Sequence, residues 1–382
     1  IPAGVTIMIH VKIIKPNKKD LRPFIQLPFD IYKNDKNWAP PNRQDLLRSL
    51  TGKDNEFFTS GIQRYFLAYD DETPVARVLA GVDLRLSTRV GETSGYISLF
   101  ESYENYEYGQ AVLEAAMRFL REHGVVSVFG PVAPRYDLLY RGVLVDGYDG
   151  PPVMLNAYNT PAIPQILEKF GFNKWRDYLA YDIPVDRIPA ERILPMANRI
   201  RERFGFRVEQ VDFTRSNLIR VAQDLSAVII EATPDEAGSY LPTPEDLLQL
   251  FKRIKPWLRN QIAVMAYAGT RPIGAVIGFL DATPSLLGTN GRRTPFNWLH
   301  RIVKTSQTTV ARCPIQYVIP EFQNKAVNVV LLAEAVQGAR ALGITRIEGS
   351  LVDETHMVSI NNTQTVGGKL YRRYRVYGLR LA

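Results

Sequence analysis

The chain has 382 residues, which is enough for two domains of ordinary size. Hydrophobic residues make up 46% of the sequence and charged residues 23%, a balance that excludes an intrinsically disordered protein. The single cysteine, Cys313, excludes an internal disulfide, and the four scattered histidines give no metal-ligand spacing, so we expect no structural metal. The net charge of +8 fits nucleic acid, an acidic membrane surface or a phosphate-bearing cofactor, and equally a basic surface kept for solubility.

The first predicted element is a β-strand within residues 1–24. Its apolar stretch is interrupted by His10 and Lys12 and lacks a basic segment before it, which argues against a secretory signal peptide. No apolar run in the sequence approaches the roughly 20 residues of a membrane-spanning helix, so we expect no integral membrane contact. Because a lone cysteine also fits a reducing compartment, we expect a cytoplasmic protein.

Two predicted β-hairpins have related sequences. FLAYDDETPVARV (66–78) aligns with VMAYAGTRPIGAV (264–276), which brings Tyr69 into step with Tyr267 and a proline into step with a proline. Each segment has two apolar runs separated by a short polar turn, and this pattern is typical of a β-hairpin.

The elements that follow each hairpin also recur. YGQAVLEAAMRFLREHGVVSVFGP (108–131) aligns with NVVLLAEAVQGARALGITRIEGSL (328–351). Both segments indicate an amphipathic helix, a glycine stop at Gly124 or Gly343, and then a buried strand.

A third pair of segments indicates an aromatic strand in each half of the chain. GFNKWRDYLAYD (171–182) matches GGKLYRRYRVYG (367–378) at its glycine, aromatic and arginine positions. Three matches in the same order predict a tandem duplication. We expect one domain at residues 1–184, a junction at 185–205 and a second domain at 206–382.

The stretch ILEKFGFNKWRDYLAY (166–181) resembles the C-terminal motif of the GNAT (N-acetyltransferase-like) acyltransferases, a short helix followed by an aromatic strand. VIPEFQNKAVNVVLLAEAVQGARALG (318–343) lies where that superfamily has a strand, a pyrophosphate loop and a helix. Most of the chain also resembles poorly characterised bacterial tandem acyltransferase-like proteins, through phrases such as GVLVDGYDGPPVMLNAYN (142–159). The resemblance implies an α/β fold of two tandem GNAT-like domains, each a mixed, mostly antiparallel splayed sheet flanked by helices.

The resemblance also implies that the pyrophosphate of coenzyme A binds at a helix N-terminus, after a loop of the form R/Q-x-x-G-x-G/A. The first copy has ESYENYEYGQ (101–110) at this place. Glu101, Glu104 and Glu107 would set negative charge against the pyrophosphate, so we expect no coenzyme A in this copy. Acidic residues in the first turn of a helix also stabilise that helix by themselves, which is the alternative explanation.

The second copy keeps part of the loop motif. Gln323 fits its leading position and Lys325 has a suitable charge. However, Ala326 stands where the first Gly of the motif belongs, and Asn328 stands where Gly or Ala belongs. The same segment also fits a degenerate helix start without a ligand. The residues predicted to bind an acyl-CoA donor are Val318, Ile319, Gln323, Asn324, Lys325, Ala326, Val327 and Asn328.

The superfamily usually protonates the leaving thiolate with a tyrosine on the short helix. The matching positions here hold Leu167 and Thr363, and neither side chain suits this task. Tyr371, on the strand just after, offers a phenol and is the predicted catalytic residue. Its counterpart in the first copy is Trp175, which indicates a packing role as the alternative.

The segment 130–160 is long for a connection between two elements, and such segments are often functional. Tyr140, Asp146, Asn156 and Tyr158 are predicted to line an acceptor pocket between the copies. The alternative is that the segment only holds the two copies together.

These observations predict an acyl-CoA-dependent N-acyltransferase, with acyl-CoA in the C-terminal copy and an amine or other small-molecule acceptor from the inter-domain cleft. Two alternatives stay open. One is a catalytically inactive ligand-binding module, since both copies lack the usual loop and acid. The other is an aminoacyl-tRNA-dependent transferase, which the basic charge permits. The basic and aromatic residues of 371–380 do not by themselves predict a nucleic-acid partner, because an amphipathic edge strand has the same alternation.

Overall fold

The structure is a computed structural model, and it describes residues 8–52, 61–132, 141–233, 241–292 and 303–381. The strands are β1 Ile9–Ile14, β2 Gln63–Asp70, β3 Thr73–Val82, β4 Ser94–Ser102, β5 Ser127–Val132, β6 Val143–Asp146, β7 Asn173–Pro184, β8 Arg207–Gln210, β9 Leu258–Ala268, β10 Arg271–Leu280, β11 Val310–Val318, β12 Arg346–Asp353 and β13 Lys369–Arg380. The α-helices are α1 Leu21–Ile31, α2 Arg43–Leu50, α3 Leu84–Val90, α4 Tyr106–Glu122, α5 Ala162–Phe170, α6 Ala190–Phe204, α7 Leu218–Ala232, α8 Pro244–Ile254, α9 Thr283–Leu286, α10 Val327–Ala341 and α11 Met357–Thr365. Within the described ranges, no helix has the length and apolar character that crossing a bilayer requires.

The chain divides into two compact units that interleave along the sequence. The first unit consists of Ile1–Tyr178, Leu286–Asn297 and Arg373–Ala382, and the second of Leu179–Ser285 and Trp298–Arg372. The C-terminal residues of β13 therefore belong to the first unit. The domain ranges 1–184, 185–205 and 206–382 stay a prediction, because compact units and duplicated copies need not share their boundaries.

The first unit is built on a sheet in the order β1-β2-β3-β4-β5-β13. β4 and β5 are parallel, and the other neighbouring strands are antiparallel. The apolar side of α4 packs in one hydrophobic cluster with Phe66, and α1 packs in another cluster with Tyr65 and Leu67. Because successive residues of a strand point to opposite faces, the two helices cover the two faces of this sheet.

The second unit has a sheet in the order β7-β12-β11-β10-β9-β8. β11 and β12 are parallel, while β8, β9, β10 and β11 are joined by antiparallel pairs. α10 covers this sheet because its Val336 and Ala339 pack in one cluster with Ile262 of β9. The predicted fold class, mixed α/β with mostly antiparallel sheets flanked by helices, is confirmed.

The repeated sequence segments form matching structures. Tyr69 pairs with Pro74 in the β2–β3 hairpin, and Tyr267 pairs with Pro272 in the β9–β10 hairpin. The two hairpins therefore have the same register at their turns. α4 and α10 also end in the same way, each before a glycine with a left-handed φ of about 70°.

Gly338 allows α10 to lie very close to β9. A Cβ atom at this position would overlap the backbone carbonyl of Gln261, which cannot move aside as a side chain could. We expect Gly338→Ala to lower the free energy of unfolding by about 1–3 kcal/mol in urea denaturation, because it overpacks this contact. The control is Gln337→Ala on the exposed side of α10, which should change stability by less than about 0.5 kcal/mol. Equal stabilities of the two variants would contradict the close approach.

Candidate functional site

The two parallel strands of the second unit separate after a short paired stretch. Val310–Arg312 of β11 pair with Arg346–Glu348 of β12. β11 then runs on to Val318 and β12 to Asp353, with no further pair between them in the described part of the chain. Diverging strands leave backbone N–H and C=O groups along their inner edges that a ligand can bind. This opening is the centre of the candidate site.

The chain passes from β11 into α10 through a 3-10 helix, Pro320–Phe322, and then Ala326. Ala326 is the N-cap of α10 and has a left-handed φ of 56°. Asn324 is exposed in this turn, whereas Val327 is buried. The first hydrogen bond of the helix joins the N–H of Val330 to the carbonyl of Ala326, at 3.1 Å. The N–H groups that precede Val330 in the first turn therefore have no acceptor within the helix. Such a helix start favours an anion.

Lys325 is the basic side chain of this turn. Its Nζ lies 4.1 Å from the centroid of the Phe322 ring and 3.9 Å from the carboxylate of Glu321, and its side chain is 34% exposed. Glu321 is also bonded to Arg271, at 2.9 Å, and Arg271 in turn pairs with a second carboxylate. Exposed ion pairs of this length are weak, so an incoming anion can replace Glu321 beside Lys325.

Several of the predicted donor-binding residues use their polar groups to hold the turn. The N–H of Ile319 donates to a β10 carbonyl at 3.0 Å, and the carbonyl of Val318 accepts a bond from the side chain of Gln323 at 3.2 Å. The side-chain oxygen of Asn328 accepts a bond from a β11 side chain at 2.7 Å. The groups that remain suited to a ligand are the N–H groups at the start of α10 and the ammonium of Lys325.

Tyr371 belongs to a hydrogen-bonded network at the place where β11 and β12 separate. Its hydroxyl donates to Glu348 Oε1 at 3.1 Å, and the hydroxyl of Ser350 donates to Glu348 Oε2 at 2.7 Å. Arg312 Nε lies 3.2 Å from Ser350 Oγ and 3.5 Å from Glu348 Oε2, and both charged side chains are 0% exposed. Of these four residues, Tyr371 was predicted from the sequence and the other three were not. Arg312 is the one charged residue of β11, whereas β12 also contains Arg346 and Asp353, so the sequence does not distinguish Glu348 or Ser350.

The fold that carries this site has known relatives. No protein-family model matches the chain. A tandem GNAT protein from the clavulanic acid biosynthesis pathway is similar over 98% of this chain and 98% of its own, with a TM-score of 0.53 and 12% identity. The chain has the tandem GNAT fold. A glucosamine N-acetyltransferase region in a fungal multidomain β-N-acetylglucosaminidase is also similar over 98% of this chain, with a TM-score of 0.58 and 15% identity, and the chain covers 38% of that longer protein.

A characterised relative is more similar in sequence than these structures. The bacterial ceramide synthase of Caulobacter vibrioides (strain NA1000 / CB15N) is 26% identical over 375 residues, which cover 94% of each chain. The predicted resemblance to tandem GNAT acyltransferases is confirmed by the solved structures. In the described part of the chain, no group of His, Cys, Asp and Glu residues could hold a metal ion.

Cys313 lies in β11 of the second unit, directly after Arg312. Burial, with a smaller effect of the Glu348 charge, raises the pKa of the Cys313 thiol to about 12. The thiolate is the nucleophilic form of cysteine, so Cys313 does not suit the role of an acyl-carrying nucleophile at neutral pH.

In the first unit, Glu101 does not lie where it was expected from the sequence. It is part of β4, whereas the helix start is formed by Asn105 and Tyr106. The side chain of Asn105 accepts the N–H of Glu107 at 3.0 Å, so a protein group already caps this helix. The expected placement of Glu101 against a pyrophosphate was therefore wrong. The absence of coenzyme A from this unit stays a prediction.

Glu101 instead takes part in a partly buried polar contact. Its Oε2 accepts a bond from the hydroxyl of Tyr32 at 2.6 Å, and its Oε1 lies 4.0 Å from Arg77 Nη2. Burial raises the pKa of the Glu101 carboxyl from the ordinary 4.5 to about 7, and the opposing effects of Arg77 and Tyr32 are smaller. This carboxyl therefore changes its charge near neutral pH.

The residues predicted to line an acceptor pocket have different surroundings in the first unit. Tyr158 donates its hydroxyl to Asp35 Oδ2 at 2.6 Å, while Asn156 is buried and Asp146 ends β6. Tyr140 lies outside the described residues. The role of these four residues in binding an acceptor stays a prediction.

The raised pKa of Glu101 makes stability depend on pH. Between the unfolded value of about 4.3 and the folded value of about 7, only the native state holds this proton, so wild-type stability falls as pH rises through that window. Relative to wild type, Glu101→Gln should gain about 2–3 kcal/mol in free energy of unfolding between pH 4 and pH 8. Urea denaturation at several pH values measures this gain. The exposed neighbour Glu104→Gln serves as control, and a constant difference between Glu101→Gln and wild type would contradict the assignment.

The left-handed conformation of Ala326 predicts a stabilising substitution. A residue with a Cβ is disfavoured at this φ, whereas glycine adopts it freely. Ala326→Gly should raise the free energy of unfolding by about 0.5–1 kcal/mol in urea denaturation. Ala341→Gly, at the exposed C-terminal end of the same helix, should lower it. A loss of stability in both variants would show that Ala326 is not left-handed.

Proposed function

We propose that the chain is an N-acyltransferase that takes its acyl group from an acyl-CoA bound by the second unit and transfers it to an amine. The start of α10 carries this proposal. Helix N–H groups, a left-handed residue at 326 and the side chain of Lys325 follow directly after the splayed strand β11. The phosphates of coenzyme A are the kind of anion that such a helix start favours. Acyl-CoA is a substrate in this proposal, and no metal is required.

Amide formation from a thioester sets two demands for protons. The amine must lose one, and the departing thiolate must gain one. Tyr371 is proposed as the proton donor to the thiolate, because its part-buried phenol lies at the divergence of β11 and β12. Because the high pKa of Cys313 disfavours an acyl-cysteine, we propose that the amine attacks the thioester directly.

A long-chain amine is the proposed class of acceptor. A ceramide is a fatty amide of a long-chain amino alcohol, and the relative named bacterial ceramide synthase matches this chain along nearly all of its length. The residues proposed to bind the acceptor are Tyr140, Asp146, Asn156 and Tyr158. Of these, Tyr158 is bonded to the carboxylate of Asp35, a type of group that suits an ammonium ion.

Thermal unfolding of the full chain with free coenzyme A, acetyl-CoA and palmitoyl-CoA tests donor binding. A ligand at about 100 times its Kd should add about 2.7 kcal/mol of stability. Lys325→Glu should raise this Kd about tenfold or more, a loss of about 1.4 kcal/mol in binding. Lys252→Glu, the same charge change on the exposed side of α8, should leave the Kd unchanged. The donor site would be misplaced if no form of coenzyme A shifts the unfolding temperature, or if the two variants bind equally well.

Amide formation tests the transfer itself. The protein is incubated with palmitoyl-CoA and a long-chain 2-amino-1,3-diol, a short primary amine, or a long-chain alcohol without an amine, and the products are analysed by mass spectrometry. We expect the amide of the long-chain amine and no product from the alcohol. Binding without transfer to any amine would favour a catalytically inactive module. Salt-dependent affinity for aminoacyl-tRNA, without affinity for coenzyme A, would favour a tRNA-dependent transferase.

A further inference from the structure

The network around Glu348 occupies a position that has an aromatic equivalent in the first unit. Glu348 is the fifth residue after Gly343, which ends α10, and Phe129 is the fifth residue after Gly124, which ends α4. Glu348 lies in β12, which is parallel to β11, and Phe129 lies in β5, which is parallel to β4. Glu348 and Phe129 are therefore structurally equivalent.

The neighbours of these two residues across the parallel strands differ in the same way. Phe129 is paired with Tyr96 of β4, and Glu348 is paired with Arg312 of β11. An aromatic pair in the first unit thus corresponds to a charged pair in the second.

The last strand of each half, β7 or β13, contributes a third residue to this position. Trp175 and Tyr371 are each the fourth residue after the glycine that follows a short helix. The ring centroids of Trp175 and Phe129 lie 5.0 Å apart, whereas the Tyr371 hydroxyl bonds to Glu348 at 3.1 Å. The same contact is made twice, once by two rings and once by a phenol and a carboxylate.

This comparison argues against a purely structural role for the charged network. Arg312 and Glu348 are 0% exposed, and taking an ion pair out of water opposes folding unless its geometry is very good. The first unit builds the equivalent position from Tyr96, Phe129 and Trp175 without such a pair. The fold therefore does not require ionisable groups at this position, and the charged pair is better explained by a role in the chemistry of the second unit.

We propose that Glu348 is a positioning residue that acts through Tyr371: it orients the phenol at the splay and exchanges a proton with it during acyl transfer. This inference rests on the proposed function of the second unit. Arg312 and Ser350 hold both the position and the charge of the carboxylate, through contacts of 2.7–3.5 Å to its Oε2.

The proposed step balances without any further reactant. A neutral amine attacks the thioester carbon, the N–C bond forms, and an N–H proton passes to the Tyr371 oxygen as the phenol proton passes to Glu348. The C–S bond then breaks, and the proton returns from Glu348 through Tyr371 to the sulfur. The products are an amide and a free thiol, and both side chains end in their starting protonation states. An acceptor that arrives as ammonium first loses one proton to solvent.

The other charged and titratable groups around this pair suit the same role. Arg312 faces the carboxylate from β11, and the guanidinium of Arg372 lies 5.2 Å from the centroid of the Tyr371 ring. Arg312 therefore pairs with the carboxylate that exchanges the proton, and the Arg372 cation lies beside the phenol ring through which the proton passes. The Cys313 thiol stays neutral because burial raises its pKa to about 12, so it does not compete for the proton.

Steady-state kinetics of the full chain with palmitoyl-CoA and the long-chain 2-amino-1,3-diol test this relay, with release of free thiol as the signal between pH 5.5 and 9.5. Glu348→Gln and Tyr371→Phe should each lower kcat about 100-fold, the scale of general acid–base catalysis. The KM for palmitoyl-CoA should stay within about threefold, because the lost interaction belongs to the transition state. Glu348→Asp should recover part of kcat, because it keeps a carboxylate in the network.

Two control variants separate catalysis from folding. Arg312→Met combined with Glu348→Leu removes both charges at once, so it should unfold near the wild-type temperature while kcat stays low. Trp175→Phe changes the equivalent position of the first unit and should keep wild-type kcat. Combining Tyr371→Phe with Glu348→Gln should lower kcat no further than either change alone, because residues that act as a unit are not additive.

The outcomes distinguish this inference from the proposed function. Wild-type kcat in Glu348→Gln would overturn the relay and leave the acyltransferase intact. A multiplicative loss in the combined variant would also overturn it, since the two residues would then act independently. A wild-type protein that binds palmitoyl-CoA but transfers no acyl group to any amine would overturn both proposals.

Discussion

β11 and β12 are held side by side only where Val310–Arg312 pair with Arg346–Glu348. Beyond these pairs the strands diverge, and each delivers a different part of the candidate site. β11 leads into the turn that starts α10, so the N–H groups of that helix lie just past the end of the strand. β12 brings Glu348 and Ser350 to the point of divergence. Strands paired along their full length would close this opening, because their backbone groups would bond to each other.

The second unit combines two kinds of electrostatic environment. The start of α10 and Lys325 form a partly exposed site for an anion. Arg312 and Glu348 form a fully buried pair, where charges interact more strongly because water is excluded. In the proposed reaction, the first environment would bind the phosphates of the acyl donor. The second would transfer protons from the amine to the departing thiolate.

The two units share features of the backbone but differ in the side chains at their parallel strands. Hairpin register and glycine helix ends are common to both units, because they depend on backbone geometry. The side chains at the parallel strands are not shared, since Tyr96 and Phe129 stand where Arg312 and Glu348 are found. The same backbone arrangement therefore accommodates aromatic packing in one unit and ionisable groups in the other.

The sequence by itself determined the two hairpins, the helix and buried strand that follow each of them, and the last aromatic strands, because apolar periodicity, glycine stops and turn residues act over short stretches of chain. The GNAT resemblance came from equally short motifs. Helices outside this repeated pattern, such as α1 and α7, were not predicted. It also identified Ala326 as standing in a glycine position, and this residue has a left-handed φ of 56°. Only the tertiary structure brought Arg312, Glu348 and Tyr371 together, and only it assigned residues 373–382 to the first unit. Both results depend on pairing between strands far apart in sequence, and no local pattern encodes which distant strands become neighbours.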